Sequence, residues 1–366
     1  MNTSFVLRNA KLITEEEIDI VIEHGKIIEI AHAGSGKGQK IHDCNGIYVS
    51  SGWIDLHVHA FPEVEPYGDE IDEIGIKTGV TTIVDAGSCG ADRISDLVAS
   101  KSQSKTNLFA FLNISRIGLK RTDELSDLEW INKRKIIESI REYKDTIVGL
   151  KARISKSVVG KNGIEPLRMA QKLSRESHLP LMVHIGSSPP VIEEVVSLLE
   201  KDDIITHFLN GKANNLFDKD GRPLQALTDA VERGVHLDVG HGTASFSFKV
   251  AEMAKRNNIK FHTISTDIYR MNRENGPVFN MAHTLTKFLY LGYPLEEVIA
   301  AVTSTPANWL KKPELGRIKT GDTANLSLFR VKKEPVTLTD SEKDKRIAKR
   351  KIEPMGVVVN GEIITY

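Results

Sequence analysis

The chain has 366 residues, with 49 basic and 49 acidic side chains and a formal net charge of zero. That balance supplies no long-range field for nucleic acid, an anionic membrane surface or an acidic partner, so the partner to expect is a small molecule recognised locally. Two cysteines, Cys44 and Cys89, are too few for a disulfide framework, residues 1–10 lack the build of a signal peptide, and no run of about 18 apolar residues occurs. A cytoplasmic protein is therefore expected, with association into homo-oligomers left open.

Residues 4–48 alternate with a two-residue period at Phe5-Val6-Leu7, at 18–22 and at 26–30, with turns at Gly25 and Gly34, which predicts a small β-sheet. Eight apolar, β-rich runs follow, at 54–60, 81–88, 107–115, 146–155, 180–187, 203–210, 235–242 and 261–268. Stretches of helical composition, such as 163–177 and 244–257, separate them. Near-continuous hydrophobicity suits strands covered on both faces of a parallel sheet, and eight such units close a (β/α)8 TIM-type barrel over residues 51–312. An open doubly wound sheet shares the alternation. Short β-rich runs return at 325–329, 355–360 and 362–366, so residues 1–50 and 313–366 are expected to pair into one β-sandwich domain, with Asn360-Gly361 as a hairpin turn. The basic run 343–351 has no interleaved aromatics and reads as a solvated hairpin of that domain rather than a nucleic-acid site.

The chemistry concentrates at the ends of the runs. His57 and His59 lie two apart on the first, so both imidazoles project from one face and can reach one ion. His-x-His alone is a weak signal, because histidine also serves as a satisfied polar core residue. Position strengthens it: His184 closes the fifth run, His207 the sixth and Asp267 the eighth, the ends at which barrel active sites are assembled. The other eight histidines scatter, with His241 nearest to these ends and undecided between a site neighbour and a loop residue. Lys151 lies toward the end of the fourth run, where burial is costly unless the amine is neutral or paired. A neutral amine can capture carbon dioxide, and the carbamate could bridge two cations as a carboxylate does. Pairing with a neighbouring acid is the plainer account. Arg153, two residues further, should face the same mouth and either stabilise an oxyanion, grip a substrate carboxylate or form a structural ion pair. Ser155, Tyr269 and Arg270 are further candidates for substrate contact.

This pattern resembles the amidohydrolase superfamily in its dinuclear, carboxylated-lysine branch. The resemblance extends over nearly the whole chain, since 303–308 and 316–325 look like that family's return into its split β-domain. It implies two divalent cations, Zn²⁺ or a similar ion, with His57, His59 and Asp267 on one, His184 and His207 on the other, and an N6-carboxylated Lys151 bridging. It also implies attack by a hydroxide held between the metals, with Asp267 accepting the proton and passing it to the leaving group. The loop Gly87-Ser-Cys89-Gly90 resembles the cysteine-bearing loop of D-aminoacylases, although a small residue in a tight turn explains Cys89 equally.

Overall similarity is to a group labelled dihydroorotase-like or adenine deaminase, some of whose members deacetylate acylated α-hydroxy or α-amino acids. The first expectation is therefore a deacetylase acting on the ester or amide of a small carboxylate-bearing substrate, of acetylated (R)-α-hydroxy acid or N-acyl-D-amino acid type. The second is a cyclic amidohydrolase or adenine-type deaminase. Against it, Ile-Gly-Ser-Ser after His184 carries no glutamate, and the loop 60–65 has no arginine. The third is a non-catalytic scaffold, which retention of all six ligand positions disfavours.

Overall fold

The computed structural model describes residues 4–366. Five strands come first: β1 (Phe5–Lys11), β2 (Glu17–Glu23), β3 (Lys26–His32), β4 (Lys40–Asp43) and β5 (Tyr48–Ser51). Seven parallel strands follow, β6 (Trp53–Val58), β7 (Val80–Ala86), β8 (Asn107–Asn113), β9 (Ile147–Ile154), β10 (Leu181–Ile185), β11 (Ile204–Thr206) and β12 (His236–Asp238), hydrogen-bonded in sequence order and separated by helices. β6 and β7 are buried along their whole length, as expected for a sheet covered on both faces.

The eighth run is present but is not a regular strand. Residues 263–268 bridge β12 at Thr263 and β6 at Ile268, which closes the sheet into a barrel. Side chains divert this segment: Thr263 and Ser265 donate to Asp238, and Thr266 donates through both its amide and its hydroxyl to Asp55. Hydrogen bonds to buried carboxylates thus replace part of the ladder. The sixth and seventh runs are also shorter than expected, because the chain leaves β11 at His207 and β12 shortly after Asp238.

Local physics fixes the helices that wrap the barrel. In Glu165–Ser177, Pro166 occupies the first turn, Leu167, Ala170 and Leu173 bury one stripe, and His178, at φ 58°, ends the helix by donating its amide to Ser174.

The last strands are β13 (Leu326–Lys332), β14 (Val336–Thr339), β15 (Lys345–Ala348), β16 (Lys351–Val359) and β17 (Glu362–Thr365). β13 pairs antiparallel with β5, so the two chain ends share one sheet, and the sheet branches at β1, which pairs with β2, β4 and β5. A separate cluster including Phe5, Leu7, Ile20, Val49 and Leu326 fills this part. Asn360 and Gly361, both at positive φ, make the β16–β17 turn that Asn-Gly predicts. The basic run is a hairpin, as expected, but β14 and β15 pair only with each other and lie against the barrel. Asp340 accepts the amide of Phe248, at the start of the helix Phe248–Arg256, and the Ser341 hydroxyl accepts the amides of Ser245 and Phe246. These acceptors satisfy donors of a helix start that has no capping side chain of its own.

Candidate metal centre and substrate cavity

His57, His59, Lys151, His184, His207 and Asp267 all line one cavity of about 360 Å³ at the C-terminal ends of the barrel strands. Donor atoms of His57, His207 and Asp267 lie within 4.8 Å of one another. Asp267 Oδ1 is 3.4 Å from His57 Nε2 and 3.1 Å from His59 Nε2, Lys151 Nζ is 3.2 Å from His57 Nε2, and the His184 and His207 rings meet edge to face at 4.4 Å.

Backbone geometry aims these groups. His207 and Asp267 adopt left-handed conformations, φ 70° and 50°, which non-glycine residues hold only when their surroundings enforce it. For Asp267 the surroundings are explicit. Its amide donates to His57 O at 2.7 Å, its carbonyl accepts Asn272 Nδ2 at 2.9 Å, and a side chain at Gly242 would meet Oδ2 at 2.3 Å. A side chain at Gly87 would likewise strike Lys151 Cβ at 2.7 Å.

Hydrogen bonds orient three of the imidazoles. Thr206 spends its hydroxyl proton on Asp238 at 2.8 Å, so His57 Nδ1 donates to Thr206 Oγ1 at 2.9 Å and Nε2 keeps its lone pair. His207 Nδ1 donates to Gly240 O at 2.6 Å, and His59 Nδ1 contacts Ser88 Oγ at 2.9 Å. Burial pushes the His207 imidazolium down to about 3 and His57 and His184 well below the usual histidine range. His207 Nε2 is buried and has no hydrogen-bond partner among the described residues. An orphaned lone pair among imidazoles and a carboxylate fits a divalent cation of the Zn²⁺ type.

Lys151 is fully buried, and burial pushes its ammonium down to about 7. Among the described residues its Nζ has no carboxylate partner, only His57 Nε2 and Met182 Sδ, each at 3.2 Å. The plainer account from sequence, an acid pair, is absent. Asp267 behaves oppositely: burial would raise its carboxyl, but the His59 contact and nearby basic groups hold it below the usual carboxylate range.

Arg153 lines the cavity beside Lys151, as their spacing on β9 implies, and it is also an ion pair. Nε and Nη2 reach Glu124 Oε1 and Oε2, both at 2.7 Å, and Nη2 reaches Thr122 O at 2.9 Å. Ser155 and Tyr269 line the cavity too, Ser155 sharing a 2.9 Å hydrogen bond with Ser187 and Tyr269 a 2.7 Å bond with Thr243. Arg270 departs from expectation: it is absent from the cavity wall, and its half-exposed guanidinium lies 3.9 Å from Asp69. It begins the helix Arg270–Asn275, which carries it outward while Tyr269 faces in. Cys89 is buried outside the cavity wall with its thiol pushed far up by burial, the small-residue account. His241 does not line the cavity, and its ring is taken by Lys287 Nζ at 2.6 Å and Gly242 O at 2.8 Å.

Sequence reasoning missed Glu124, Tyr67, Lys212 and the Thr206–Asp238 pair. Polar residues inside apolar runs were a visible signal for Thr206 and Asp238. Lys212 stands in the loop after His207, where loops at strand ends carry function. Glu124 lies in a connection whose burial is purely tertiary and left no local mark.

Residues 48–364 match the Amidohydrolase family. A relative from Enterococcus faecalis named a deacetylase is 42% identical over 366 residues, 99% of each chain. A crystal structure described as an adenine deaminase superimposes over 100% of both chains with TM-score 0.96 and 41% identity. Another, described as a dihydroorotase, covers 99% of both with TM-score 0.91 and 34% identity.

Proposed function

The chain belongs to the amidohydrolase family, and on that premise we propose that it is a metal-dependent deacetylase of small carboxylate-bearing esters or amides, of the acetylated (R)-α-hydroxy acid or N-acyl-D-amino acid type. The observation that carries the reading is one cavity in which all six candidate ligands converge beside basic side chains. His57, His59 and Asp267 would hold one divalent cation and His184 and His207 a second, probed first as Zn²⁺, with Lys151 as a carbamate between them. When bound, such a pair supplies Lewis acidity toward the acyl carbonyl and makes water a nucleophile near neutral pH.

The chain's own residues have distinct tasks. Lys151, its ammonium pushed down to about 7 and without an acid partner among the described residues, has at neutral pH a substantial share of the free amine that reacts with carbon dioxide. Asp267, ionised at neutral pH, takes the proton of the attacking water and returns it to the leaving alkoxide or amine. Thr206, Ser88 and the Gly240 carbonyl keep three imidazoles oriented. Tyr67 and Tyr269, whose rings pack edge to face at 5.3 Å, wall one side and limit water. Arg153, its charge offset by Glu124, presents its remaining edge to the acyl oxygen.

The test is a panel of O-acetyl-α-hydroxy acids, N-acetyl-D- and N-acetyl-L-amino acids, cyclic amides and adenine, assayed for acetate, ring opening and ammonia. Acetate release from the acetylated acids is expected. Ammonia from adenine or ring opening without acetate release would replace the proposal with the deaminase or cyclic amidohydrolase reading that the similar crystal structures' descriptions suggest.

A further inference from the structure

The cavity has two basic side chains besides Lys151, and they differ in what they can still bind. Arg153 is committed: Glu124, fully buried, takes two of its N–H groups and Thr122 O another. A guanidinium neutralised in this way contributes a directed hydrogen bond and little net charge. Lys212 is the reverse. Its half-buried side chain lines the same cavity, and among the described residues its ammonium has neither a carboxylate partner nor a hydrogen bond. A partly desolvated ammonium without a counterion is costly, and an anion that enters the cavity removes the cost.

Its placement is built into the site. The Lys212 amide donates to Asn210 Oδ1 at 3.0 Å, while Asn210 Nδ2 donates to His207 O at 2.8 Å. One asparagine therefore fixes the start of the Lys212 side chain to the backbone of a candidate ligand. The cavity, about 360 Å³, is at the small end for ligand sites, so a substrate that brings its acyl carbonyl to the six-residue cluster keeps its other functional group within the same wall.

We infer that Lys212 is the specificity-determining residue of this site, the counterion of the substrate carboxylate, and that it selects acetylated acids over their neutral analogues. The inference rests on the deacetylase reading and sharpens it. Lys212, rather than Arg153, is the anchor, and Arg153 is left to the acyl oxygen. Neutral esters, cyclic amides and purines leave the ammonium unpaired and are disfavoured for that reason.

The experiment compares an N-acetyl-D-amino acid or O-acetyl-α-hydroxy acid with its methyl ester in the metal-loaded wild type, Lys212→Met and Lys212→Arg. For the acid, Lys212→Met is expected to raise KM about 30-fold or more with kcat within about threefold, Lys212→Arg to recover much of the loss, and the ester KM to stay unchanged. Loss of acid and ester turnover in equal measure, or an unchanged KM for the acid, overturns the assignment. Calorimetric binding of lactate and of methyl lactate to the same three proteins gives a readout independent of turnover. Lactate binding that weakens in Lys212→Met while methyl lactate is unaffected supports the anchor, and equal binding to wild type and Lys212→Met refutes it. Failure of the wild type to release acetate from any substrate strikes the deacetylase reading alone, since the binding arm still decides Lys212.

Discussion

Arg153 and Glu124 form a two-point ion pair in which Nε and Nη2 each lie 2.7 Å from a different carboxylate oxygen. Glu124 is fully buried, so Glu124→Gln leaves a guanidinium charge in the cavity wall without its counterion. The variant is expected to lose about 3 kcal/mol of stability and at least about tenfold in kcat. Thermal unfolding and steady-state kinetics check both; wild-type values for each would remove the pair from the account.

Among the described residues Lys151 has no acid to pair with, and its Nζ lies 3.2 Å from His57 Nε2. Lys151→Ala should lower activity by at least about 100-fold and reduce bound metal, with partial recovery in millimolar acetate or propionate, whose carboxylate replaces the carbamate oxygens. Full activity in the variant would rule out a bridging role.

Asp238 accepts the Thr206 hydroxyl at 2.8 Å and lies 3.9 Å from His57 Nδ1, whose N–H Thr206 accepts in turn. Asp238→Asn leaves the ligand set intact but lets Thr206 and His57 reorient, and should weaken metal affinity by about 10- to 100-fold. Competition against a chelator measures it. Unchanged affinity would mean that the ring is oriented by packing alone.

Buried imidazoles also set the pH dependence of stability. Burial pushes His207, His236 and His283 down to about 3 in the fold, against about 6.5 when unfolded. Each is neutral in the native state and gains a proton on unfolding below about pH 6.5. Stability is therefore complete above that pH and falls as pH drops toward 3, by up to about 1.4 kcal/mol per pH unit for each group. Metal-free protein should lose thermal stability steadily between about pH 6.5 and about pH 4.5, and His236→Asn should flatten the decline. A melting temperature constant over that window would contradict the assignment.

What the sequence revealed and what it withheld follow one physical division. Strand ends can be read from short apolar runs, and a histidine or aspartate closing such a run is conspicuous, so His57, His184, His207 and Asp267 were legible before their geometry was known. The irregular eighth segment was not, because its departure from the ladder depends on Asp55 and Asp238, side chains of other strands. Arg153 was visible as a cavity residue, whereas its partner Glu124 was hidden in a connection that only folding buries. Arg270 followed Asp267 in sequence but turned outward with the first turn of its helix, which spacing alone does not reveal. The hairpin tip at Asp340 and Ser341, seated beside the cavity residue Ser245, is a long-range contact of the same hidden kind.

Whether the six convergent residues form a metal centre that performs hydrolysis is tested most directly by metal content measured together with acetate release. Protein purified with zinc and bicarbonate should contain about two equivalents of divalent metal per chain and release acetate from acetylated acids. Chelation should abolish the activity and re-addition restore it. Less than one equivalent of metal, or acetate release that survives complete chelation, would contradict the account.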